Sequence, residues 1–391
     1  MTKTDNNIDN NGKIIHVGYL LAPISYGGGE RLVVDIIKRL KKVKGMSIKL
    51  FSLTFSLKLN ENLEAENIQK QVLTRIKVGY SQSQFTHLRL SLLASFVLFF
   101  NCKLFDRYDI LHIHSFSILI AFWLLKRLHR IGKCKIVYTH HALKQKVNSE
   151  IIRFIYSSIL DTADAIVGGS GLATKQLSLN FSRLSDKILT IPNGIDTIRF
   201  KCRTRKILLR RKLKLPLNNV LAVYVARALP SKNHEFLVQL AKKVISTDYR
   251  ILLIGEGLIN SEIERRMEEF GVREKFILRG YVEDRLLPLY FRASDFCVFP
   301  SLAEGGSVSI LEALSSGLPL LIFNCIYSPE YKYALRAKNN SEFITHFQLL
   351  LNREHREPLK VGLQKSVSSY DVQTTADNYQ KLYEKILIKT H

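Results

Sequence analysis

Cysteine is scarce in this chain, and the few cysteines are scattered. Five occur among 391 residues, and no two are spaced as a pair. They are Cys102, Cys134, Cys202, Cys297 and Cys325. Zinc sites and disulfide frameworks need closely spaced cysteines, so the sequence argues against both. We therefore expect a protein of a reducing compartment, the cytoplasm.

Acidic residues are also few. The chain has 34 Asp and Glu against 58 Lys and Arg, which gives a formal net charge of +24. It contains no basic stretch interleaved with aromatic residues and no nucleic-acid module, so we expect no nucleic acid partner. The excess charge suits an anionic membrane surface, anionic substrates in general, or lysine used as the default surface residue. Of these we favour the membrane surface.

Long apolar runs are missing too. The longest, residues 92–100 with Ser95 inside it, falls well short of the ~20 residues that a spanning helix needs. Residues 1–12 are polar and lack the apolar segment of a signal peptide, so we expect a disordered leader there. The segment 85–105 is apolar with basic flanks, which is typical of interfacial helices and of ordinary buried helices alike. The sequence leaves these two alternatives open.

The chain does contain a strand, a glycine loop and a helix in each half. Residues 13–21 predict a first strand, a glycine loop follows at 25–31, and apolar residues then recur at helical spacing. The loop lacks the last glycine of a dinucleotide fingerprint, so that motif is not met. Residues 220–225 start the pattern again. The length of 391 residues and the hydrophobic content of 46% predict two Rossmann-like α/β domains with parallel sheets.

The most informative stretch is residues 296–319. It predicts a buried strand, a tight glycine turn and a helix that begins near Ser307. Glu304 stands before this helix and Glu312 within it. The free amides of a helix's first turn bind phosphate well. Diphosphate on these amides, with carboxylates on the flanking hydroxyls, is one way to hold a nucleotide-sugar.

Two further predicted strands end in histidine. One carries His112 and His114 at its end, and the next carries His140 and His141. The carboxyl ends of parallel strands form the edge at which open α/β sheets bind ligands. Histidine is the commonest metal ligand, but no carboxylate cluster accompanies these residues. We therefore expect no metal site.

Several motifs together resemble the retaining glycosyltransferases of family 4. Glu304 and Glu312 enclose seven residues and are followed by Gly-Leu-Pro, which looks like that family's EX7E signature. Similar segments stand at 27–31 (GGGER), 192–196 (PNGID) and 226–233 (ARALPSKN). The resemblance covers nearly the whole chain from residue 13. It implies the GT-B fold, in which two Rossmann-like domains face each other across an interdomain cleft.

The resemblance also implies a division of the chain. An acceptor-side domain would occupy residues 13–200, and a domain that binds the nucleotide-sugar would occupy residues 201–369. A C-terminal helix at 370–391 would pack back on the first domain.

A set of donor-binding residues follows from the same resemblance. They are Gly28, Gly29, Arg227, Lys232, Val282, Gly306, Ser307, Val308 and Glu312. Arg227 and Lys232 would neutralise the donor diphosphate, since a guanidinium forks onto phosphate oxygens and an ammonium adds a point charge. The backbone of Val282 would contact the base, and Glu312 would hold the ribose hydroxyls.

Two catalytic residues are implied. His141 would lie beside the transferred sugar, and Glu304 would hold sugar hydroxyls. The nucleotide-diphosphate-sugar is a co-substrate, and no metal or other cofactor is expected. Front-face collapse and a covalent intermediate both remain open as mechanisms.

The implied activity is transfer of a hexose or modified hexose, with retention, to a hydroxyl of a glycan or lipid-linked acceptor. Such enzymes make bacterial cell-surface polysaccharide (LPS O-antigen or capsule), and this one would work in the cytoplasm, at the inner face of the plasma membrane. One departure from the family pattern is the short loop 324–331, which lacks glycine. It leaves open an alternative, a catalytically silent scaffold or binding protein of the same pathway.

Overall fold

The computed structural model describes residues 14–21, 27–52, 64, 67–73, 84–141, 149–201 and 203–388. Two compact units divide the chain, one of residues 1–193 with 372–391 and one of residues 194–371. The polar leader predicted at 1–12 lies outside the described residues, and so do residues 25 and 26 of the glycine loop.

The boundary between the units falls at Asn193, whereas the sequence placed it at residue 200. The segment after Asn193 bonds to the end of the second unit. The amide of Ile195 donates to the carbonyl of Tyr370 at 2.9 Å. The amide and hydroxyl of Thr197 both donate to Oδ2 of Asp371, at 3.2 and 2.6 Å.

The first unit contains a parallel sheet of seven described strands. They are β1 (Ile15–Leu21), β2 (Met46–Ser52), β3 (Lys70–Val72), β4 (Ile110–Ile113), β5 (Lys135–His140), β6 (Ala165–Gly168) and β7 (Ile188–Thr190). Their order is β3-β2-β1-β4-β5-β6-β7. Strands β2 and β3 lie on one side of β1, and β4 to β7 lie on the other. The strand order therefore reverses between β1 and β4, which is where such sheets bind ligands.

Helices connect and cover these strands. They are α1 (Gly28–Leu40), α2 (Gln84–Asn101), α3 (Phe116–Arg127), α4 (Glu150–Leu160), α5 (Gly171–Asn180) and the C-terminal α14 (Val372–Ile388). Helices α2 to α5 bury their apolar sides in one cluster against the sheet. Helix α14 packs against α1 within the same unit.

Helix α2 has one buried and one exposed side, which bears on the two alternatives for segment 85–105. Ala94 and Leu98 are fully buried in the core cluster. Leu92, Phe96 and Phe100 lie on the other side and are 63%, 64% and 70% exposed. Among the described residues, no helix combines the length and apolar character that crossing a membrane requires.

The second unit contains a parallel sheet of six described strands. They are β8 (Val220–Val225), β9 (Tyr249–Ile254), β10 (Phe276–Arg279), β11 (Phe296–Phe299), β12 (Leu320–Phe323) and β13 (Leu335–Ala337), in the order β10-β9-β8-β11-β12-β13. The progression reverses between β8 and β11. Together the two parallel sheets confirm the prediction of two Rossmann-like α/β units.

Eight further helices accompany this sheet among the described residues. They are α6 (Lys206–Lys212), α7 (His234–Lys243), α8 (Glu262–Glu269), α9 (Leu287–Ala293), α10 (Val308–Ser315), α11 (Asn340–Leu351), α12 (Arg353–Leu359) and α13 (Leu363–Ser366). Helices α7 and α10 follow the loops after β8 and β11, which form the centre of the candidate site.

Candidate functional site

In the second unit, the loops after β8 and β11 are joined by hydrogen bonds at the point where the strand order reverses. The amide of Leu302 donates to the carbonyl of Ser231 at 2.9 Å. The side-chain amide of Asn233 donates to the carbonyl of Pro300 at 3.1 Å. The carboxyl ends of neighbouring strands at such a reversal form a ligand-binding crevice. These bonds therefore set the geometry of the crevice in the second unit.

Two predicted site residues meet there. Nζ of Lys232 lies 2.6 Å from Oε1 of Glu304, and Glu304 is only 7% exposed. The buried Tyr224 supports the pair from the middle of the sheet, since its hydroxyl donates to the carbonyl of Lys232 at 2.8 Å and lies 2.9 Å from the Ser301 hydroxyl. The pair brings a cation and a buried carboxylate to one place.

The loop that carries Arg227 is held by a glycine at the end of β9. A Cβ built on Gly255 would lie 2.0 Å from the carbonyl oxygen of Ala226, and the φ of Gly255 is +157°. The amide of Ala226 donates to the carbonyl of Ile254 at 2.9 Å, and that of Ala228 to Glu256 at the same distance. Sequence reasoning did not place Gly255 in the site, although a Gly-x-Gly after a buried strand was the available signal.

The loop after β10, which carries Val282, is joined to the same region. The amide of Gly255 donates to the carbonyls of Arg279 and Gly280, both at 3.1 Å. Val282 follows two residues later and is half-buried. The structure thus brings the loops after β8, β9 and β10 together in the second unit.

Helix α10 begins after Gly306, whose φ of +112° favours glycine. The amide of Ser307, predicted to bind phosphate, donates to the hydroxyl of Tyr331 at 2.8 Å. Burial raises the pKa of Tyr331 well above its usual value, so the hydroxyl stays protonated. Sequence reasoning missed Tyr331, which lies in the short loop that departs from the family pattern. Val308 and Glu312, on the same helix, are both buried, at 8% and 1% exposure.

In the first unit, the carboxyl ends of β4 and β5 gather three histidines, which we call the histidine cluster: His112, His114 and His141. The ring centroids of His112 and His114 are 4.1 Å apart, and those of His114 and His141 are 5.1 Å apart. Nδ1 of His114 lies 2.8 Å from Nε2 of His141. The neighbouring His140 makes a separate contact, in which its Nδ1 lies 3.2 Å from the Tyr138 hydroxyl.

Hydroxyl groups from distant parts of the chain surround His112. Its Nδ1 lies 2.7 Å from the Tyr383 hydroxyl, and its Nε2 lies 2.7 Å from the Thr139 hydroxyl. The Tyr383 hydroxyl is also 2.6 Å from that of Tyr19, and Thr139 is 2.9 Å from the Tyr379 hydroxyl. Tyr379 and Tyr383 both lie on α14, so the C-terminal helix is bonded to the strand ends of its own unit. Sequence reasoning did not identify this network.

The histidine cluster is neutral at physiological pH. Burial, together with the nearby His140, lowers the pKa of His141 to about 4. Burial also lowers the pKa of His112 and His114 well below the usual value. At neutral pH each ring therefore has one protonated nitrogen, and the cluster offers hydrogen bonds rather than charge.

The remaining predicted residues, Gly28 and Gly29, begin helix α1. The carboxylate of Glu30 accepts a hydrogen bond from the amide of Gly27 at 3.0 Å, which fixes the start of the helix. A Cβ on Gly29 would meet no atom within 4 Å. The two glycines belong to the first unit, as does His141. In the described part of the chain, no group of three or more His, Cys, Asp and Glu side chains is arranged to hold a metal ion.

Comparisons with solved structures identify the class of fold. The Anabaena protein HepE, crystallised in complex with UDP and glucose, superposes with a TM-score of 0.76 at 17% sequence identity. The alignment covers 95% of this chain and all of HepE, at 100%. Together with the two parallel sheets, this confirms the GT-B fold class.

Family models then identify the family. The model "Glycosyltransferase Family 4" matches residues 26–199, and the model "Glycosyl transferases group 1" matches residues 206–356. The two matches adjoin and between them span most of both units. The chain belongs to glycosyltransferase family 4, as its motifs predicted.

Curated relatives match over a smaller region. The Escherichia coli UDP-Gal:alpha-D-GlcNAc-diphosphoundecaprenol alpha-1,3-galactosyltransferase is 28% identical over 230 residues, which are 56% of this chain and 58% of that enzyme. A Campylobacter jejuni 4-alpha-N-acetylgalactosaminyltransferase, named for a diphospho-undecaprenol acceptor, is 27% identical over 173 residues, 44% of this chain and 45% of that enzyme. The chain thus spans about half the length of these two relatives.

Proposed function

We propose that the protein is a retaining glycosyltransferase that needs no metal. It transfers a hexose or modified hexose from a nucleotide-diphosphate-sugar to a hydroxyl of a lipid-linked or other glycan acceptor, in the synthesis of bacterial cell-surface polysaccharide such as LPS O-antigen or capsule. The observation that carries the proposal is the contact of Lys232 with Glu304 at the strand reversal of the second unit, 2.6 Å from nitrogen to oxygen.

The donor diphosphate would bind next to this pair. Arg227 lies in the same loop as Lys232, and the first turn of α10 supplies the amide of Val308. In transfer, negative charge grows on the departing diphosphate, and preset cations and amides that meet it can be the largest single catalytic contribution. Because Tyr331 occupies the amide of Ser307, the phosphate would bind Val308 or replace the tyrosine hydroxyl at Ser307.

In the absence of donor, Lys232 and Glu304 neutralise each other. When a diphosphate attracts Lys232, the carboxylate of Glu304 becomes available to accept hydrogen bonds from sugar hydroxyls. Glu312 would hold the ribose hydroxyls, and His141 of the first unit would contact the transferred sugar. The ion pair would thus exist in the absence of donor, and donor binding would replace it with contacts of Lys232 to the diphosphate and of Glu304 to the sugar.

The acceptor is proposed from the relatives. Both curated enzymes above are named for acceptors that carry diphospho-undecaprenol. Such an acceptor stays in the membrane, so the enzyme would have to work at its surface, in the cytoplasm at the inner face of the plasma membrane.

The outer side of helices α2 to α4 offers a surface for this. Nine large apolar residues of this layer are exposed, and we call them the apolar face: Leu92, Phe96, Phe100, Leu124, Leu128, Ile151, Ile152, Phe154 and Ile155. On α4, Ile151 and Phe154 are 75% and 66% exposed. Apolar residues concentrated in this way on one layer mark an interaction surface.

The charge around the apolar face favours an anionic lipid bilayer as its occupant. Helices α2 and α3 contain no Asp or Glu. Six exposed cations lie in the last turn of α3 or after the C-terminal ends of the two helices: Lys103, Arg107, Lys126, Arg127, Arg130 and Lys133. Each basic residue near anionic lipid contributes about 1 kcal/mol, and the apolar residues would enter the headgroup boundary.

A nucleotide panel tests the donor site. UDP, GDP, ADP, CMP and their sugars are added to the wild type and to the double variant Arg227→Ala with Lys232→Ala, and the unfolding temperature is followed. A ligand at 100 times its dissociation constant adds about 2.7 kcal/mol of stability. We expect one nucleoside diphosphate to stabilise the wild type and not the double variant. Lys243→Ala, an exposed lysine on α7, is the matched control and should respond as the wild type does.

Turnover separates the enzyme from the silent scaffold. A bound donor that is neither transferred nor hydrolysed above background would favour the scaffold, and no stabilisation by any nucleotide at millimolar concentration would contradict the proposal. The anomeric configuration of the product, read by NMR, tests retention. Unchanged turnover in the presence of a chelator tests independence from metal.

Vesicle sedimentation tests the apolar face. The wild type should bind phosphatidylglycerol vesicles more than phosphatidylcholine vesicles, and less as salt increases. The triple variant Phe96→Ser, Phe100→Ser and Phe154→Ser should bind at least about tenfold more weakly, since each large side chain contributes about 1.5–3 kcal/mol when fully buried. Equal binding of variant and wild type would refute the assignment.

A matched control for this experiment comes from the second unit. Ile245 and Val361 are 89% and 76% exposed there, and their replacement by serine should leave vesicle binding unchanged. If the wild type binds neither kind of vesicle and instead forms a dimer that the triple variant does not form, the apolar face binds a second copy of the chain. The lipid proposal is then wrong.

A further inference from the structure

His114 and His141 share a hydrogen bond that the proposed roles do not use. Nδ1 of His114 lies 2.8 Å from Nε2 of His141, and the rings are stacked at 19°. The second nitrogen of His114, Nε2, is buried and has no hydrogen-bond partner among the described residues. Each ring therefore has one nitrogen committed to the shared bond and one that is not.

The shared bond couples the tautomers of the two rings. Both rings are neutral, so each carries one N–H, and only one proton can lie between the two bonded nitrogens. If His114 donates, then both rings carry their proton on Nδ1. If His141 donates, then both carry it on Nε2. Mixed tautomers would place two protons, or none, between the rings.

The environment of His114 selects between these two arrangements. If His141 donated, the Nε2–H of His114 would be a buried donor without an acceptor. If His114 donates, an unprotonated nitrogen lies there instead. Buried N–H groups without an acceptor are rarer in folded proteins than acceptors without a donor. The first arrangement is therefore the better one.

We propose that His114 is a positioning residue that donates from Nδ1 to Nε2 of His141, so that His141 offers its Nδ1–H to the ligand. The part that concerns the ligand rests on the proposed function. His141 then serves as a hydrogen-bond donor to an oxygen of the sugar. It is not a proton acceptor through Nε2, because that nitrogen is engaged inside the protein.

The ring of His114 packs against two further rings, which also contact each other. The ring centroids of His112 and Tyr19 lie 4.1 and 5.6 Å from it. His112 is in turn fixed at both nitrogens by the hydroxyls of Tyr383 and Thr139. The orientation of His141 thus depends on packing that reaches the C-terminal helix α14.

Ring nitrogen NMR tests the tautomers without any substrate. Spectra of the ¹⁵N-histidine protein distinguish a protonated ring nitrogen from a bare one, and His141→Gln identifies the signals of His141. We expect His141 in the wild type to be a single Nδ1–H tautomer. His141 found as Nε2–H, or as a mixture, would overturn the proposal.

Two variants of His114 sharpen this test. His114→Phe keeps an aromatic ring in the stack but has no nitrogen, so His141 should become a mixture of tautomers. His114→Asn places an amide nitrogen near the former Nδ1 and should restore the single Nδ1–H form. A His141 spectrum unaffected by His114→Phe would also overturn the proposal. The fluorescence of Trp123 checks that both variants fold.

Turnover supplies the functional readout. His114→Phe should lower kcat roughly 10–100-fold, by analogy with partners that orient a histidine, while donor affinity is unchanged. His114→Asn should recover most of the loss. His129→Asn is the matched control, since His129 is an exposed histidine just after α3. If His114→Phe turned over substrate as fast as the wild type, the positioning role would be refuted. If the wild type itself turned over no nucleotide-sugar, the proposed function would be refuted, and the NMR result alone would decide the tautomer.

Discussion

The hydroxyl of Tyr383 should contribute strongly to the stability of the first unit. Tyr383 is fully buried, and its hydroxyl contacts the Tyr19 hydroxyl at 2.6 Å and Nδ1 of His112 at 2.7 Å. Tyr383→Phe keeps the ring and removes only this oxygen. Two buried polar groups then lose a partner, and each such loss costs about 1–3 kcal/mol. We expect the free energy of unfolding to fall by about 2–6 kcal/mol.

The chain provides its own reporter for this measurement. Its one tryptophan, Trp123, lies on α3 in the first unit, so its fluorescence during urea unfolding follows that unit. Tyr333→Phe, at an exposed tyrosine of the second unit, is the matched control and should change stability by less than about 0.5 kcal/mol.

A double-mutant cycle shows whether the reasoning holds. Tyr19→Phe and Tyr383→Phe remove the two ends of one hydrogen bond, so their combined effect should be smaller than the sum of the single effects. A loss below about 0.5 kcal/mol for Tyr383→Phe, or strict additivity, would show that the network contributes little and would refute the argument.

Two further predictions concern the candidate site. Gly255→Ala should shift the Arg227 loop, because the new Cβ would lie 2.0 Å from the carbonyl oxygen of Ala226, and should abolish stabilisation by the nucleotide that the wild type binds. Gly29→Ala is the control: its new Cβ meets no atom within 4 Å, so the stability of the protein should be unchanged or slightly higher. If a nucleotide stabilised Gly255→Ala as much as the wild type, the geometric argument would be contradicted. The histidine cluster should make the first unit sensitive to acid. Folding lowers the pKa values of these rings, so below pH 6.5, about the pKa of an unfolded histidine, the unfolded chain binds more protons than the folded one. The free energy of unfolding should therefore fall by up to about 1.4 kcal/mol per pH unit for each ring as the pH is lowered. The described groups that face the cluster are tyrosine and threonine hydroxyls and His140. The free energy of unfolding is measured with urea and Trp123 fluorescence, and equal values at pH 7 and pH 5 would refute this prediction.

Much of the site could be predicted because its residues follow recognisable local patterns. Lys232 and Glu304 each stand in a loop after a buried strand, and parallel strands bring such loops to one sheet edge. Their separation of 72 positions in the chain did not prevent the prediction. His141 could be placed for the same reason, at the end of β5. The pattern determined the edge at which each residue lies.

The contacts within that edge could not be predicted in the same way. The Ser307 amide was expected to be available for phosphate, yet Tyr331 occupies it from a loop 24 positions later. Gly255 stands in a Gly-x-Gly after a buried strand, but its close approach to Ala226 depends on how two loops pack. Local periodicity contains no information on which side chain reaches a given amide.

The sequence by itself determined the two Rossmann-like units, the family and the residue types at the strand ends, because all of these depend on short-range patterns of apolar residues, glycines and charges. Only the tertiary structure decided that His112 bonds to a tyrosine 271 positions away, that His114 bonds to His141, and that α2 buries Leu98 and exposes Phe96. Hydrogen bonds and burial are set by which surfaces meet in the folded chain. Residues distant in sequence come together only after the sheets and helices have packed.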